Sequence, residues 1–162
     1  MSLMSLDDLL QLLKALQRRL QADKMTRFKR RVSFGDLITE RADNAKEYGF
    51  GEGTTCYDDV LILGDVKIGR HTWIGPGVIL DGQGGLSIGD HCAISAGVHV
   101  YTHHTIRRNV SFGAAPMELE PTTIGNGVYI GPNSIIQMGV TIGDRAVIGA
   151  MSFVNRDIPA GA

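Results

Sequence analysis

Two adjacent histidines, His103 and His104, open the one long stretch of this 162-residue chain in which an otherwise regular aliphatic spacing is suspended. Imidazole suits proton transfer near neutrality. With an ordinary pKa of about 6.5, its neutral form accepts a proton from an attacking hydroxyl and later returns it to a leaving group. The remaining histidines read differently: His71 and His91 fall at expected solvent-facing corners, and His99, just before Val100, should face outward from a strand. A cysteine nucleophile is disfavoured. Cys56 precedes the regular region, Cys92 is expected to point inward, and neither has a basic partner at an activating spacing. Near the histidine pair, Glu118 and Glu120 offer carboxylates to orient an imidazole or contact an acceptor, and Arg107 and Arg108 offer guanidinium groups for an anionic ligand.

What positions these residues is a six-residue period. Ile62, Ile68, Ile74, Leu80, then Ile88, Ile94, Val100, then Ile124, Ile130, Ile136, Ile142, Ile148 and Val154 keep it through two interruptions. Glycine follows many of these aliphatics, and four residues after them come small or β-branched side chains such as Val78, Cys92, Val98 and Val140. The pattern predicts short strands separated by sharp corners; in Val78-Ile79-Leu80, Val78 and Leu80 point inward, Ile79 points outward, and Asp81-Gly82 turns the chain. Three strands close one turn of a solenoid, and each coil covers the aliphatic residues of the next. One interruption lengthens a hexad by two residues around Gly82 to Ser87; the other is the excursion from Tyr101 to Thr123. Insertions in a solenoid map to loops on its side.

Before the repeat, Leu6, Leu9, Leu10, Leu13, Leu16 and Leu20 recur at helical spacing behind Ser5, and a shorter element is expected over Asp36 to Tyr48 before the glycine-rich Gly49 to Gly53. The predicted organisation is a helical segment and lead-in over 1–53 and an all-β solenoid over 54–162, with the inserted loop 101–123.

The hexads, the lead-in Gly49-Phe50-Gly51-Glu52-Gly53, the segment Tyr101-Thr102-His103 and the run Thr123-Ile124-Gly125-Asn126-Gly127-Val128-Tyr129-Ile130-Gly131-Pro132 together resemble the hexapeptide-repeat acyltransferases. The likeness is strongest to galactoside and maltose O-acetyltransferases and their relatives in bacterial polysaccharide biosynthesis. It implies a left-handed parallel β-helix, a homotrimer, and acetyl-CoA as donor in a groove between subunits. It further implies acetyl transfer to a hydroxyl of a saccharide acceptor without an acyl-enzyme or metal. The catalytic histidine of the family falls on His103, with His104 in place of the aspartate of some relatives, and either neighbour remains a candidate base. Donor contacts carry over to Tyr129, Pro132, Ala150, Asn155 and Arg156. The sequence stops at Ala162, before the segment with which most relatives finish the donor groove.

Three other functions fit the same repeat: N-acylation of an amino sugar, hydration at a metal held by three histidines as in the γ-class carbonic anhydrases, and a non-enzymatic scaffold. His99, His103 and His104 match the carbonic-anhydrase histidine spacing only loosely. A formal net charge of −1 gives no global attraction to nucleic acid. The basic residues cluster locally instead, with Arg18, Arg19, Lys24, Arg27, Lys29, Arg30 and Arg31 against Asp23. That cluster reads as a solvated helix face or as peripheral contact with a membrane or anionic saccharide. The two cysteines form no disulfide framework, and residues 1–20 interrupt their leucines with Asp7, Asp8 and Lys14, so the expected compartment is the cytoplasm.

Overall fold

The computed structural model describes residues 4–162, in two units that divide between Glu40 and Arg41. In the first, Ser5 caps α1 (Leu6–Phe28): its hydroxyl accepts the Asp8 amide hydrogen at 3.1 Å, and Asp7 and Asp8 place negative charge at the positive end of the helix. Lys29 ends the helix in the left-handed region, at φ 52°. Ser33 caps α2 (Phe34–Ile38) in the same way, and a Lys24–Glu40 ion pair at 3.0 Å ties the end of this unit to α1. The single element expected over Asp36 to Tyr48 is instead two helices, α2 and, in the second unit, α3 (Arg41–Glu47). Thr39 divides them by adopting extended backbone while its hydroxyl bonds back to the Gly35 carbonyl. Among the described residues no helix is long and apolar enough to cross a membrane.

The second unit is a left-handed parallel β-helix. Its first face stacks Cys56, Ile74, Ile94, Ile130 and Ile148 in parallel register. The second stacks Ile62, Leu80, Val100, Ile136 and Val154, and the third Ile68, Ile88, Ile124 and Ile142. Twelve of the thirteen predicted aliphatic positions are buried, and Ile62, near the start of the solenoid, is half-buried against the same core. At about 0.8 kcal/mol for each buried methylene, these columns dominate the stabilisation. Polar groups inside the prism bond to the adjacent coil: Thr54 Oγ1 accepts the Thr72 amide, and Thr72 Oγ1 accepts the Cys92 amide, both at 3.0 Å. The coils stack so closely that a Cβ on Gly131 would lie 2.5 Å from the Ala150 nitrogen, which explains glycine at that corner.

The outward residues are unlike on the three faces. The third presents Lys67, Ser87, Thr123 and Thr141, whereas the first exposes Tyr129 and Val147, and the second exposes Leu61, Ile135 and Phe153.

Both interruptions are where the spacing placed them. The strand Ile79–Ile88 carries two more residues than its partner Leu61–Ile68, so Gly64 pairs with Gly82 but Val66 pairs with Leu86. Asp81 and Gly82 do not turn the chain as expected; the strand runs through them, and Asp81 is fully buried. The excursion leaves after Val100, pairs His103–His104 antiparallel with Glu118–Leu119 around α4 (Ile106–Val110), and rejoins the solenoid at Thr122–Ile124.

Candidate active site

The repeat itself builds the site. Because Leu80 lies under Val100 in register, the next residue of each coil, Asp81 and Tyr101, occupies the same edge of the prism one coil apart. The Asp81 carboxylate therefore meets the start of the excursion. Its Oδ2 accepts the Thr102 amide at 2.8 Å and the Thr102 hydroxyl at 3.2 Å, and lies 2.6 Å from His103 Nδ1, while Oδ1 accepts the Gln83 amide at 3.2 Å. Thr102 Oγ1 in turn accepts the Gly84 amide at 2.8 Å, which fastens the two-residue insertion to the root of the loop.

Burial alone pushes the Asp81 carboxyl up, but the Thr102 amide, the His103 imidazole and the Gln83 amide together outweigh it and hold the group below its ordinary value. Asp81 is thus ionised at neutral pH and only accepts. The proton of a neutral His103 must then sit on Nδ1, which leaves Nε2 with the lone pair. The His103 side chain keeps 22% of its surface accessible, so a base of defined tautomer stands at a partly open edge.

His104 is held differently. Its Nδ1 faces Glu118 Oε2 at 3.3 Å without hydrogen-bond geometry, and Glu118 Oε1 approaches Arg107 at 3.4 Å. Glu118 therefore accompanies His104 rather than His103. Glu120 lies against Gly139, where it closes the base of the loop, and its amide donates to the Thr102 carbonyl at 2.9 Å. Arg108 lies exposed on α4.

The five donor candidates occupy two corners. Pro132 and Ala150 stand at the same corner of successive coils, next to the exposed Tyr129. Asn155 and Arg156 line a cleft with Val147, Ser152 and Phe153 on the last coil. Tyr101, Gln137 and Asn155 follow the paired residues Val100, Ile136 and Val154, so Asn155 lies on the His103 edge, two coils or about 10 Å along the axis.

The other three histidines fall where the spacing put them, whereas Cys56, expected ahead of the regular region, is its buried first rung under Ile74. His71 and His91 are exposed corner residues whose rings stack at 4.8 Å. His99 faces outward, with Nδ1 3.2 Å from the Tyr101 hydroxyl. His99, His103 and His104 thus each face a different partner, and among the described residues no three His, Cys, Asp or Glu side chains converge as metal ligands would. Cys92 is buried, its thiol donates to the Gly125 carbonyl at 3.1 Å, and burial pushes the thiol up, away from the thiolate a nucleophile needs. Both cysteines should resist iodoacetamide in the folded protein and react only on denaturation. Labelling followed by mass measurement checks this, and rapid native labelling of Cys92 would contradict its inward placement.

Sequence comparison agrees with the fold. The family described as bacterial transferase hexapeptide (six repeats) matches residues 121–156, and that described as hexapeptide repeat of succinyl-transferase matches 65–102. The galactoside O-acetyltransferase of Escherichia coli K12 is 37% identical over 100 residues, 59% of this chain and 47% of that protein. A putative colanic acid biosynthesis acetyltransferase of the same organism is 32% identical over 97 residues, 59% of this chain and 50% of that protein. The chain spans about half the length of these curated relatives. Among solved structures, a galactoside acetyltransferase in complex with coenzyme A superposes with a TM-score of 0.62 at 26% identity, covering 91% of this chain and 74% of that one. A point mutant of AntD, an N-acyltransferase from Bacillus cereus, in complex with dTDP and coenzyme A, gives 0.61 at 25% identity over 67% and 63%. Repeat and fold together relate the chain to the hexapeptide-repeat acyltransferase superfamily, with sugar and acyl-CoA acetyltransferases among its relatives.

Proposed function

We propose that this protein transfers an acetyl group from acetyl-CoA to a hydroxyl of a saccharide or saccharide precursor, with His103 as general base. The observation that carries the reading is the 2.6 Å contact between His103 Nδ1 and the buried, ionised Asp81, which leaves Nε2 as the proton acceptor. Nε2 takes the hydroxyl proton as the oxygen forms a bond to the thioester carbon. The C–S bond then breaks, and the same proton goes to the departing thiolate, giving the acetyl ester and free CoA thiol. Asp81 stabilises the imidazolium between these steps. Asn155 and Arg156, on the same edge, would meet the donor, and Tyr129, Pro132 and Ala150 would contact it at the neighbouring corner. Glu118, Glu120, Arg107 and Arg108, in or beside the loop, would meet the acceptor. The similar proteins described as a galactoside O-acetyltransferase and a putative colanic acid biosynthesis acetyltransferase support a sugar hydroxyl as the target. The test is incubation with acetyl-CoA and a panel of mono- and disaccharides, including amino sugars, while following thiol release and acceptor mass. Thiol release without an acetylated acceptor, or transfer to amine nitrogen alone, would overturn O-acetylation.

The working unit proposed is a homotrimer. Two outward faces carry exposed apolar residues and the third is polar, so the first face of one copy and the second face of the next can meet in a heterologous contact that closes as a ring. Light scattering should give about three times 17.5 kDa. A stable monomer with full turnover would remove the interface from the mechanism.

A further inference from the structure

α1 carries its leucines on one side, and from Leu6 to Leu16 they stand exposed, while Leu20 is half-buried. Leu6, Leu9, Leu10, Leu12, Leu13 and Leu16 are each at least 41% exposed. At 3.6 residues per turn, these six and Leu20 span an arc of roughly 160°. The cleft formed where Arg31 to Phe34 return along α1 is lined by Arg18, Gln21, Ala22 and Met25, which lie on another side of the helix, with Gln17 at the border of the leucine arc, so Leu6 to Leu16 stay open.

The charge is segregated too. Residues 4–40 hold eight Lys and Arg against five acids, a net of +3, whereas residues 41–162 hold eight against twelve, a net of −4. Lys24 and Arg27 are paired with Glu40 and Asp23, but Arg18, Arg19, Lys29, Arg30 and Arg31 have no ion-pair partner among the described residues.

We propose that α1 and the basic segment after it form an interfacial anchor that docks the protein on an anionic lipid bilayer. The leucine face enters the boundary between headgroups and acyl chains, and the unpaired Arg and Lys residues meet lipid phosphates; each signal alone binds weakly and the two together hold. A second copy of α1 fits less well. Leu6, Leu9, Leu13, Leu16 and Leu20 follow a heptad seam, but its next two positions are Asp23 and Arg27, short of the three to four heptads a coiled coil sustains. Parallel copies would also bring their unpaired cations together, and Leu10 and Leu12, beside the seam, would be only partly covered.

The test uses the full chain and sedimentation with vesicles of phosphatidylcholine alone or with about a third phosphatidylglycerol. Binding is expected only with phosphatidylglycerol and should weaken as ionic strength rises. Arg30→Gln/Arg31→Gln should lower the partition coefficient by roughly 30-fold, about fivefold per charge. Leu9→Ser/Leu13→Ser should abolish what binding survives at high salt, while the melting temperature of the solenoid and the mass in solution stay unchanged. Equal binding to both vesicle types, no binding at low salt, or an unaffected leucine variant would overturn the proposal. A change of mass in the leucine variant without lipid would assign the stripe to a second copy. None of these readouts depends on acetyl transfer, so failure of the anchor and failure of the proposed reaction are separable.

Discussion

Replacing His103 by alanine is expected to lower kcat/KM for acetyl transfer by about 10²- to 10⁴-fold, with melting temperature and mass in solution unchanged. The side chain is only partly buried and its main polar partner is Asp81, so its loss removes a proton acceptor without opening the core. His104→Ala should cost much less, because His104 faces Glu118 inside the hairpin and has no contact with Asp81. Retained activity in the first variant with collapse in the second would move the base to His104. Full activity in both would remove histidine from the mechanism.

Asp81 extends this experiment, as a positioning residue that acts through His103. Asn at this position places an amide where an acceptor-only carboxylate stood, and an amide that donates to Nδ1 forces the opposite tautomer; the loss in kcat reaches about 10⁴-fold when such a switch is complete. A purely structural role would show in stability alone, with the catalytic constants unmoved. The acid response supplies a second signature. Since the Asp81 carboxyl sits below its ordinary value when folded, its stabilisation is full above that ordinary value and drains away as pH falls through the depressed one. The gap in melting temperature between wild type and Asp81→Asn should therefore narrow below the ordinary carboxylate range.

The spacing of six revealed the solenoid because each inward position repeats the same demand, and one aliphatic per hexad is visible without knowing what it touches. Asp81 was hidden for the opposite reason. An aspartate directly after an inward aliphatic and directly before a glycine reads as a corner residue, as do Asp90 and Asp144, which do lie at corners, half-buried and exposed respectively. Only the strand continuing through the two-residue insertion, and Thr102 arriving from the next coil, turn Asp81 into a buried acceptor. A sequence cue did exist: the aspartate opens the one lengthened hexad, and the next coil on that edge leads into the histidines. Glu118 was legible as a carboxylate for one of the imidazoles, but which histidine it faces depends on the antiparallel register across the loop, which no period inside residues 101–123 announces.

The largest effect on folding is expected at Ile130, where aspartate should leave the protein unfolded or without a cooperative melting transition. Ile130 is fully buried and stacked between Ile94 and Ile148, in a column of apolar side chains. The change removes apolar burial worth about 3 kcal/mol, at about 0.8 kcal/mol for each methylene-sized group. It also puts a carboxyl where the column supplies no cation, which adds a few kcal/mol against a typical stability of about 5–15 kcal/mol. Burial raises the pKa of such a carboxyl, so the damage should be least at low pH, where the group is protonated, and should grow as pH rises above the unfolded value. Ser87→Asp, on the exposed polar face beside Ile88 and paired with Lys67, makes the comparison: it introduces the same charge and should melt within about 0.5 kcal/mol of wild type. Circular dichroism melts of both variants across pH give the answer. An unchanged melt for Ile130→Asp would mean that the inward phase of the repeat is wrong; because that phase runs from Leu80 and Val100 to the residues that follow them, it would also separate Asp81 from His103.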